Sequence, residues 1–467
     1  MYNNAEIPLF CFHALGFFHY PQNVNLWVLT NQILFLIRFY RYIIQDTARA
    51  YQSLQVFRLG SVILLSIVLV KSGFESDSIG DFEWFIFLSN VASFFWGLGL
   101  KNAFMSFFPS IENKKGRKLI FNLAIFFLFL GVVAFGVLYM LNFPRLESLY
   151  TYLPWLFCFL VLGTAASLSE HILIVKQRSF ELFYYGFISY SVYLFGLSVL
   201  SFITLSIEWL FVGLAIWAIL RFIYFLSLLW KYSDFKLDMS LIAKFILFGL
   251  PLVMHVLLGG GMEYVDGYLV NHFYERSDFT YFRYGARELP FNTIFISAMA
   301  SAFIPLAVAN LKDSLADIKK RTERLMNFLF PISMILMLVS PLIFTFVYSE
   351  EYLVSAFIFN IYLLILCSRI LLPQIVIYAK HKNSFLMKVS VVEFLINIGL
   401  SLLLMQKFGL YGIAFATVIA FFVQKILLII FTGRVLKVKL KEYLNIPKYL
   451  IFTVILYVTF FLSIILY

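Results

Sequence analysis

Charge is what this chain is short of. Only 13% of its 467 residues are Asp, Glu, Lys or Arg, against about 25% in an ordinary soluble domain. Cysteine is scarce as well. Cys11, Cys158 and Cys367 stand alone in apolar surroundings without metal-ligand spacing, so they imply packing rather than redox or metal chemistry. No connection between the apolar runs is long enough to fold as a soluble catalytic domain, and neither a P-loop nor a dinucleotide fingerprint is present. A membrane glycosyltransferase or polysaccharide polymerase needs a sizeable outer loop with catalytic carboxylates, and that too is missing.

What fills the chain instead is apolar: 62% of residues are hydrophobic and 20% aromatic, with 57 Phe and 28 Tyr. A soluble protein cannot hide that much apolar surface, and disorder, a disulfide scaffold or a fibrous repeat do not fit either. Runs long enough to span a bilayer fall at 51–72, 82–109, 118–142, 149–175, 180–203, 207–230, 240–270, 279–310, 323–348, 353–378, 385–406, 410–432 and 446–466. They must be helices, because lipid offers backbone groups no partner and the alternation of a barrel strand is absent. The expected fold class is an all-α polytopic membrane protein. Dense Phe and Tyr suit lipid-facing bulk and interfacial belts.

The net charge of +11 would suggest nucleic acid if it formed one patch. It sits instead in alternate connections, as Lys114, Lys115, Arg117 and Lys118; Lys176 and Arg178; Lys231, Lys236 and Lys244; Lys312, Lys319, Lys320, Arg321 and Arg324; Lys380, Lys382 and Lys388; and Arg434, Lys437, Lys439, Lys441 and Lys448. The intervening loops hold only Lys71, Arg145, Arg276 and Lys407, and carry Glu75, Asp77, Asp81, Glu350 and Glu351. By the positive-inside rule the first core helix starts in the cytoplasm. No nucleic-acid partner is implied. Helices one to six and seven to twelve then begin and end on the same side. Two six-helix lobes around a central cavity follow, with domains 51–230 and 231–432 related by an axis along the membrane normal. Residues 433–467 add a basic linker and a thirteenth span, which leaves room for a fourteenth beyond the C terminus. Residues 1–50 are either an extension with an extra helix at 24–44 or the product of a start placed too early.

Seven bases lie inside the spans: Arg58, Lys101, Arg221, Arg283, Arg287, Arg369 and Lys425. The embedded acids are Glu170, Glu263, Asp266, Glu288 and Glu393. A charge at mid-membrane costs at least ~2.5–3.5 kcal/mol, so it normally faces a partner or a wet cavity. Arg58, Lys101 and Glu170 lie close to the inner surface, where snorkelling is the simpler reading. Arg221, Arg369 and Lys425 are deep enough to point inward. His255, Gly259, Glu263 and Asp266 share one face of the seventh span, and Arg283 and Arg287 one face of the eighth. Both faces sit in the outer half and are expected to meet, either as a packing network or as a cavity wall that binds an anionic headgroup. Pro251 with Gly259, Gly260 and Gly261 marks a candidate hinge, or a static kink.

At this point the residues point to a family. The stretch LSLLLMQKFGLYGIAFATVIAFFVQK (400–425) resembles the penultimate helix pair of the polysaccharide and lipid-linked oligosaccharide flippases of the MOP exporter superfamily. There a G-x-x-G-x-A-x-A-T pattern recurs, matched by Gly409, Gly412, Ala414, Ala416 and Thr417. GGGMEYVDGYLV (259–270) and FRYGARELP (282–290) resemble its seventh and eighth helices. SGFESDSIGDFEWFIFLSN (72–90) and GLKNAFMSFFPS (99–110) resemble its first outer turn and second helix. The resemblance covers roughly 51–432 and implies a transporter, not an enzyme, of the bacterial cytoplasmic membrane. Such proteins move undecaprenyl-diphosphate-linked glycans between leaflets by alternating access.

Carried over by position, Asp266, Arg283 and Arg287 are the implied cavity residues, with Arg58 next. The full candidate set is Arg283, Arg287, Asp266, Glu263, Arg58, Arg221, Arg369 and His255. Glu263 and Asp266 are expected to hold the arginines in one state and release them in another. A proton or a sodium ion is the expected coupling ion, and no other cofactor is implied. Expected partners are the lipid-linked glycan, membrane lipids, and polymerases or glycosyltransferases of the same assembly. The alternative is a cation-coupled multidrug or small-solute exporter of the same superfamily. A membrane enzyme of glycan assembly stands behind both.

Overall fold

The computed structural model describes residues 44–140, 151–287 and 310–466 except 98, 205 and 381, together with 296, 299, 300, 303, 306 and 307. Side chains at 48, 95, 110, 251, 252, 255, 256, 258–260, 262, 263 and 383 fall outside that description. The reading of residues 1–50 therefore lies almost wholly outside the described residues, as do Glu288 and the side chains of Pro251, His255, Gly259, Gly260 and Glu263.

The described residues are helical, with no strand among them. The helices are α1 (Thr47–Lys71), α2 (Ser76–Gly97), α3 (Gly99–Phe107), α4 (Asn113–Met140), α5 (Leu153–Val175), α6 (Ser179–Thr204), α7 (Ile207–Tyr232) and α8 (Met239–Phe273). They continue as α9 (Arg276–Gly285), α10 (Leu311–Val347), α11 (Glu350–Arg369), α12 (Pro373–Ala379), α13 (Asn383–Arg434), α14 (Leu440–Tyr443) and α15 (Ile446–Leu466). Among the described residues nine helices are long and apolar enough to cross a membrane, or ten when α2 and α3, bent by 46°, count as one span. The chain is an all-α polytopic membrane protein.

Three local features carry the architecture. At 1.5 Å per residue, the 52 residues of α13 would be far too long for one crossing. Gly409 breaks them at φ 59°, ψ −137°, a backbone state open essentially to glycine alone. The two arms then fold together so closely that a Cβ on Gly412 would run into the Leu404 carbonyl. In α5 a π-turn at Cys158–Leu162 interrupts the regular helix, and such turns cluster at functional positions. By contrast α8 continues as one helix through Pro251 and the three glycines. The expected hinge is thus unbroken helix in this conformation.

The connections gather at two ends. At the basic end Arg117 donates to the Ser233 carbonyl, Asn122 to the Lys236 carbonyl and Lys319 to the Lys441 carbonyl. At the acidic end Arg276 pairs with Asp81 at 2.6 Å, the Ser277 amide donates to Asp77, and Ser76 donates to Glu351. Helices α1–α7 pack largely among themselves, as do α8–α15, and the two groups meet where α8 crosses α3 and α9 crosses α2. Both crossings depend on small residues. A Cβ on Gly99 would lie 2.6 Å from Val253 Cα, and one on Gly80 would meet the Arg276 carbonyl. Between them Trp84 stacks on Phe87 at 5.2 Å and meets Phe279 edge-on at 5.4 Å, closing the interior with aromatic rings.

Candidate functional site

Buried charge collects in three places. The first lies wholly within α1–α7. Arg58 on α1 donates both Nη2 protons to Glu170 on α5, at 2.6 and 2.7 Å, and its Nε donates to Tyr190 on α6 at 2.6 Å. Arg221 on α7 donates to the same carboxylate at 3.2 Å and, through Nε, to Tyr185 at 2.9 Å. The Glu170 side chain is 2% exposed, that of Arg221 8% and that of Arg58 39%, so Glu170, expected to snorkel, is instead the buried partner of both arginines. Lys101 on α3 donates to Ser167 at 3.2 Å, which brings a third cation to the group. Arg221 also lies over the Trp217 ring at 4.5 Å, a cation–π contact that steadies its plane.

The cations of this group border a cavity of about 300 Å³, with Glu170 and Tyr185 outside its lining. Arg58, Lys101 and Arg221 line it, with Asn90, Ser93, Thr164 and Ser167 as polar neighbours and Tyr190, Tyr193 and Trp217 as aromatic ones. The π-turn of α5 contributes Phe159 to the wall. Three cations stand against one carboxylate, so an anion entering the cavity meets an excess of positive charge. Arg58 lies 11 residues beyond the start of α1, roughly 16 Å along the helix and about halfway through its 25 residues.

The second place is the seam between the two groups of helices. Arg287 donates to Glu83 on α2 at 2.7 Å, and Arg283 on α9 approaches the other Glu83 oxygen at 4.0 Å. The Glu83 side chain is 6% exposed. Phe87 and Tyr284 lie beneath the two guanidinium groups. Glu83 is the residue that sequence reasoning missed. It stands at the start of the run 82–109, and α2 begins six residues earlier than that run, which puts the carboxylate two turns inside the helix.

The third place belongs to α8–α13. Asp266 is buried, and its Oδ2 accepts from Thr417 at 2.5 Å and Tyr362 at 3.3 Å, while Asn397 donates to Thr417 at 2.9 Å. The sequence expectation turned Asp266 toward Arg283 and Arg287. The structure sets Glu83 of the other helix group against those arginines and gives this Asp266 oxygen to hydroxyl groups of α11 and α13. Nearer the basic end, Gln424 donates to Glu393 and Lys425 to Gln374, and Arg369 lies over Phe421 at 5.5 Å. Among the described candidate residues, Arg58 and Arg221 share a cavity and Arg283 and Arg287 share a seam, while the side chains of Glu263 and His255 lie outside the description. Among the described residues no group of three His, Cys, Asp or Glu side chains gathers as a metal site.

Solved structures share this architecture. The lipid II flippase MurJ, in an inward-closed conformation, superposes with a TM-score of 0.67 at 18% identity, over 88% of this chain and 91% of that one. The chain has the fold of the MOP-superfamily transporters. Within that superfamily, a MATE transporter of Vibrio cholerae matches at TM-score 0.56 and 12% identity over 85% of this chain and 98% of its own. A MOP transporter of Pyrococcus furiosus matches at 0.52 and 14% over 82% and 95%. No family model and no curated protein matches the sequence. At such identities the likeness carries the MOP fold alone, and the chemistry has to come from this chain's own residues.

Proposed function

We propose that this chain moves an undecaprenyl-diphosphate-linked oligosaccharide from the cytoplasmic to the outer leaflet of a bacterial cytoplasmic membrane. Lobes 51–230 and 231–432 alternate access, and the basic end is the cytoplasmic one. The observation that carries this reading is the cavity lined by Arg58, Arg221 and Lys101, two of which are paired with the single carboxylate of Glu170. Guanidinium groups match phosphate oxygens in bidentate fashion, so the cavity suits the diphosphate of such a lipid. A cationic drug would be repelled from the same cavity, which sets the multidrug alternative behind this one. The fold shared with a lipid II flippase supports the reading without fixing the sugar.

Arg58→Ala and Arg221→Ala, made singly, each leave Glu170 one cationic partner, so both proteins should still insert and fold. Export of the glycan should fall by about tenfold or more, the scale of one lost charge-assisted contact, and polyprenyl-linked sugar should accumulate in the inner leaflet. Lipid-linked sugars extracted from cells that lack the native gene and carry each variant provide the measurement. Wild-type export by both variants would remove the cavity from the transport path.

A further inference from the structure

Several donors of the cation cluster already have partners within the protein. Arg58 spends Nη2 on both oxygens of Glu170 and Nε on Tyr190; Arg221 spends Nη2 on Glu170 and Nε on Tyr185. The Glu170 carboxylate thus occupies Nη2 of both guanidinium groups, donors that a phosphate would use. Tyr185 and Tyr190 fix the arginines from the other side, and Lys101, whose described hydrogen bond goes to Ser167, keeps donors to spare.

We infer that Glu170 is an internal stand-in for the substrate's phosphate, a positioning residue that holds both arginines ready and competes with the incoming anion. This rests on the reading of the cavity given above. Without Glu170 the cavity would hold two close guanidinium groups and an ammonium with no counter-charge, a trap from which a diphosphate leaves slowly. With it, each departing diphosphate is replaced by the carboxylate at once, so the cations are never left uncompensated in a low-dielectric site. Glu170 therefore trades affinity for release. A transporter needs that trade, because a cargo held too tightly leaves too slowly for turnover.

The test uses the purified full chain in lipid nanodiscs, with inorganic pyrophosphate as the probe and calorimetric titration as the readout. Glu170→Gln keeps the shape of the side chain and removes its charge. It should bind pyrophosphate about tenfold tighter or more than the wild type, given the charge-assisted bonds no longer competing. In reconstituted vesicles the same variant should flip lipid-linked sugar more slowly at saturation while half-saturating at lower substrate. Lower KM with lower kcat is a pattern that a merely structural defect does not produce.

Equal or weaker pyrophosphate binding by a folded Glu170→Gln protein overturns the role of Glu170 and leaves the cavity reading standing. Failure of both proteins to bind pyrophosphate overturns the two together. Should Glu170→Gln not reconstitute, Glu170→Asp retains the charge but is one methylene too short to reach both guanidinium groups. It should bind the probe several-fold tighter than wild type, and unchanged affinity would overturn the inference.

Discussion

A buried carboxylate between two arginines is a liability as well as a fastening. Glu83 sits between Arg287 and Arg283 across the seam of the two groups of helices, with Phe87 and Tyr284 packed against the cations. Removing one partner of such a group leaves charge uncompensated in a poorly solvated place, at a cost of about 3–5 kcal/mol. Glu83→Gln should therefore lower the melting temperature of the detergent-solubilised protein clearly. Adding Arg287→Met should recover part of that loss, since the second change removes the stranded cation. A melting curve unmoved by Glu83→Gln would mean that water already reaches the seam. At this scale the sequence was only half legible. Period 3.6 places Arg283 and Arg287 on one face of a helix, whereas α9 ends at Gly285 and Arg287 lies beyond its C-cap; both still reach Glu83, and no periodicity shows which helix stands opposite. Arg58 and Glu170 are 112 positions apart, and Arg221 is 51 beyond Glu170. Nothing local links them, so Arg58 and Glu170 read as surface-seeking charges and Arg221 as a separate inward-pointing one until the fold brings them together.

Elements were more legible, because hydropathy and glycine act locally. The apolar runs anticipated the spans, and the early start of α2 reflects Ser76 and Asp77, polar residues at a helix start that hydropathy assigns to the loop. The pattern joining Gly409, Gly412, Ala414, Ala416 and Thr417 now has a physical account residue by residue. Gly409 supplies a positive φ, Gly412 admits the Leu404 carbonyl, Ala414 and Ala416 are fully buried where the arms pack, and Thr417 binds Asn397 and Asp266 across the hairpin. Gly409→Ala should cost about 1–3 kcal/mol of backbone strain. Gly412→Ala should be at least as damaging, because the obstacle is backbone that cannot rotate away. Thermal unfolding of both variants checks this, with Gly399→Ala as control, since a Cβ there meets nothing within 4 Å. If Gly412→Ala melts like the control, the two arms are not as close as described.

For the whole molecule, alternate basic and acidic connections foretold two ends, and the composition foretold the membrane. Which end is closed is a property of the conformation, and no sequence pattern reports it. Here the two groups of helices touch toward both ends: toward the basic end through Phe107 against Phe245 and Phe248, and at the acidic end through Asp81–Arg276, Asp77–Ser277 and Ser76–Glu351. The acidic-end contacts are polar, and several are exposed, so each contributes little by itself and the set can be exchanged for water when the lobes part. If alternating access moves the cargo, that end has to open once per cycle. A cysteine pair at Asp77 and Ser277, introduced after Cys11, Cys158 and Cys367 are changed to serine, would tie the lobes together where the Ser277 amide now meets the Asp77 carboxylate at 2.9 Å. Oxidation should stop glycan export, and a reductant should restore it within the same cells. Pyrophosphate binding to the purified, oxidised protein should persist, because the Arg58–Glu170–Arg221 cluster lies wholly inside one lobe. Export that continues with the bridge formed would show that the cargo leaves by a route that does not part α2 from α9, and the two-lobe mechanism would fail with it.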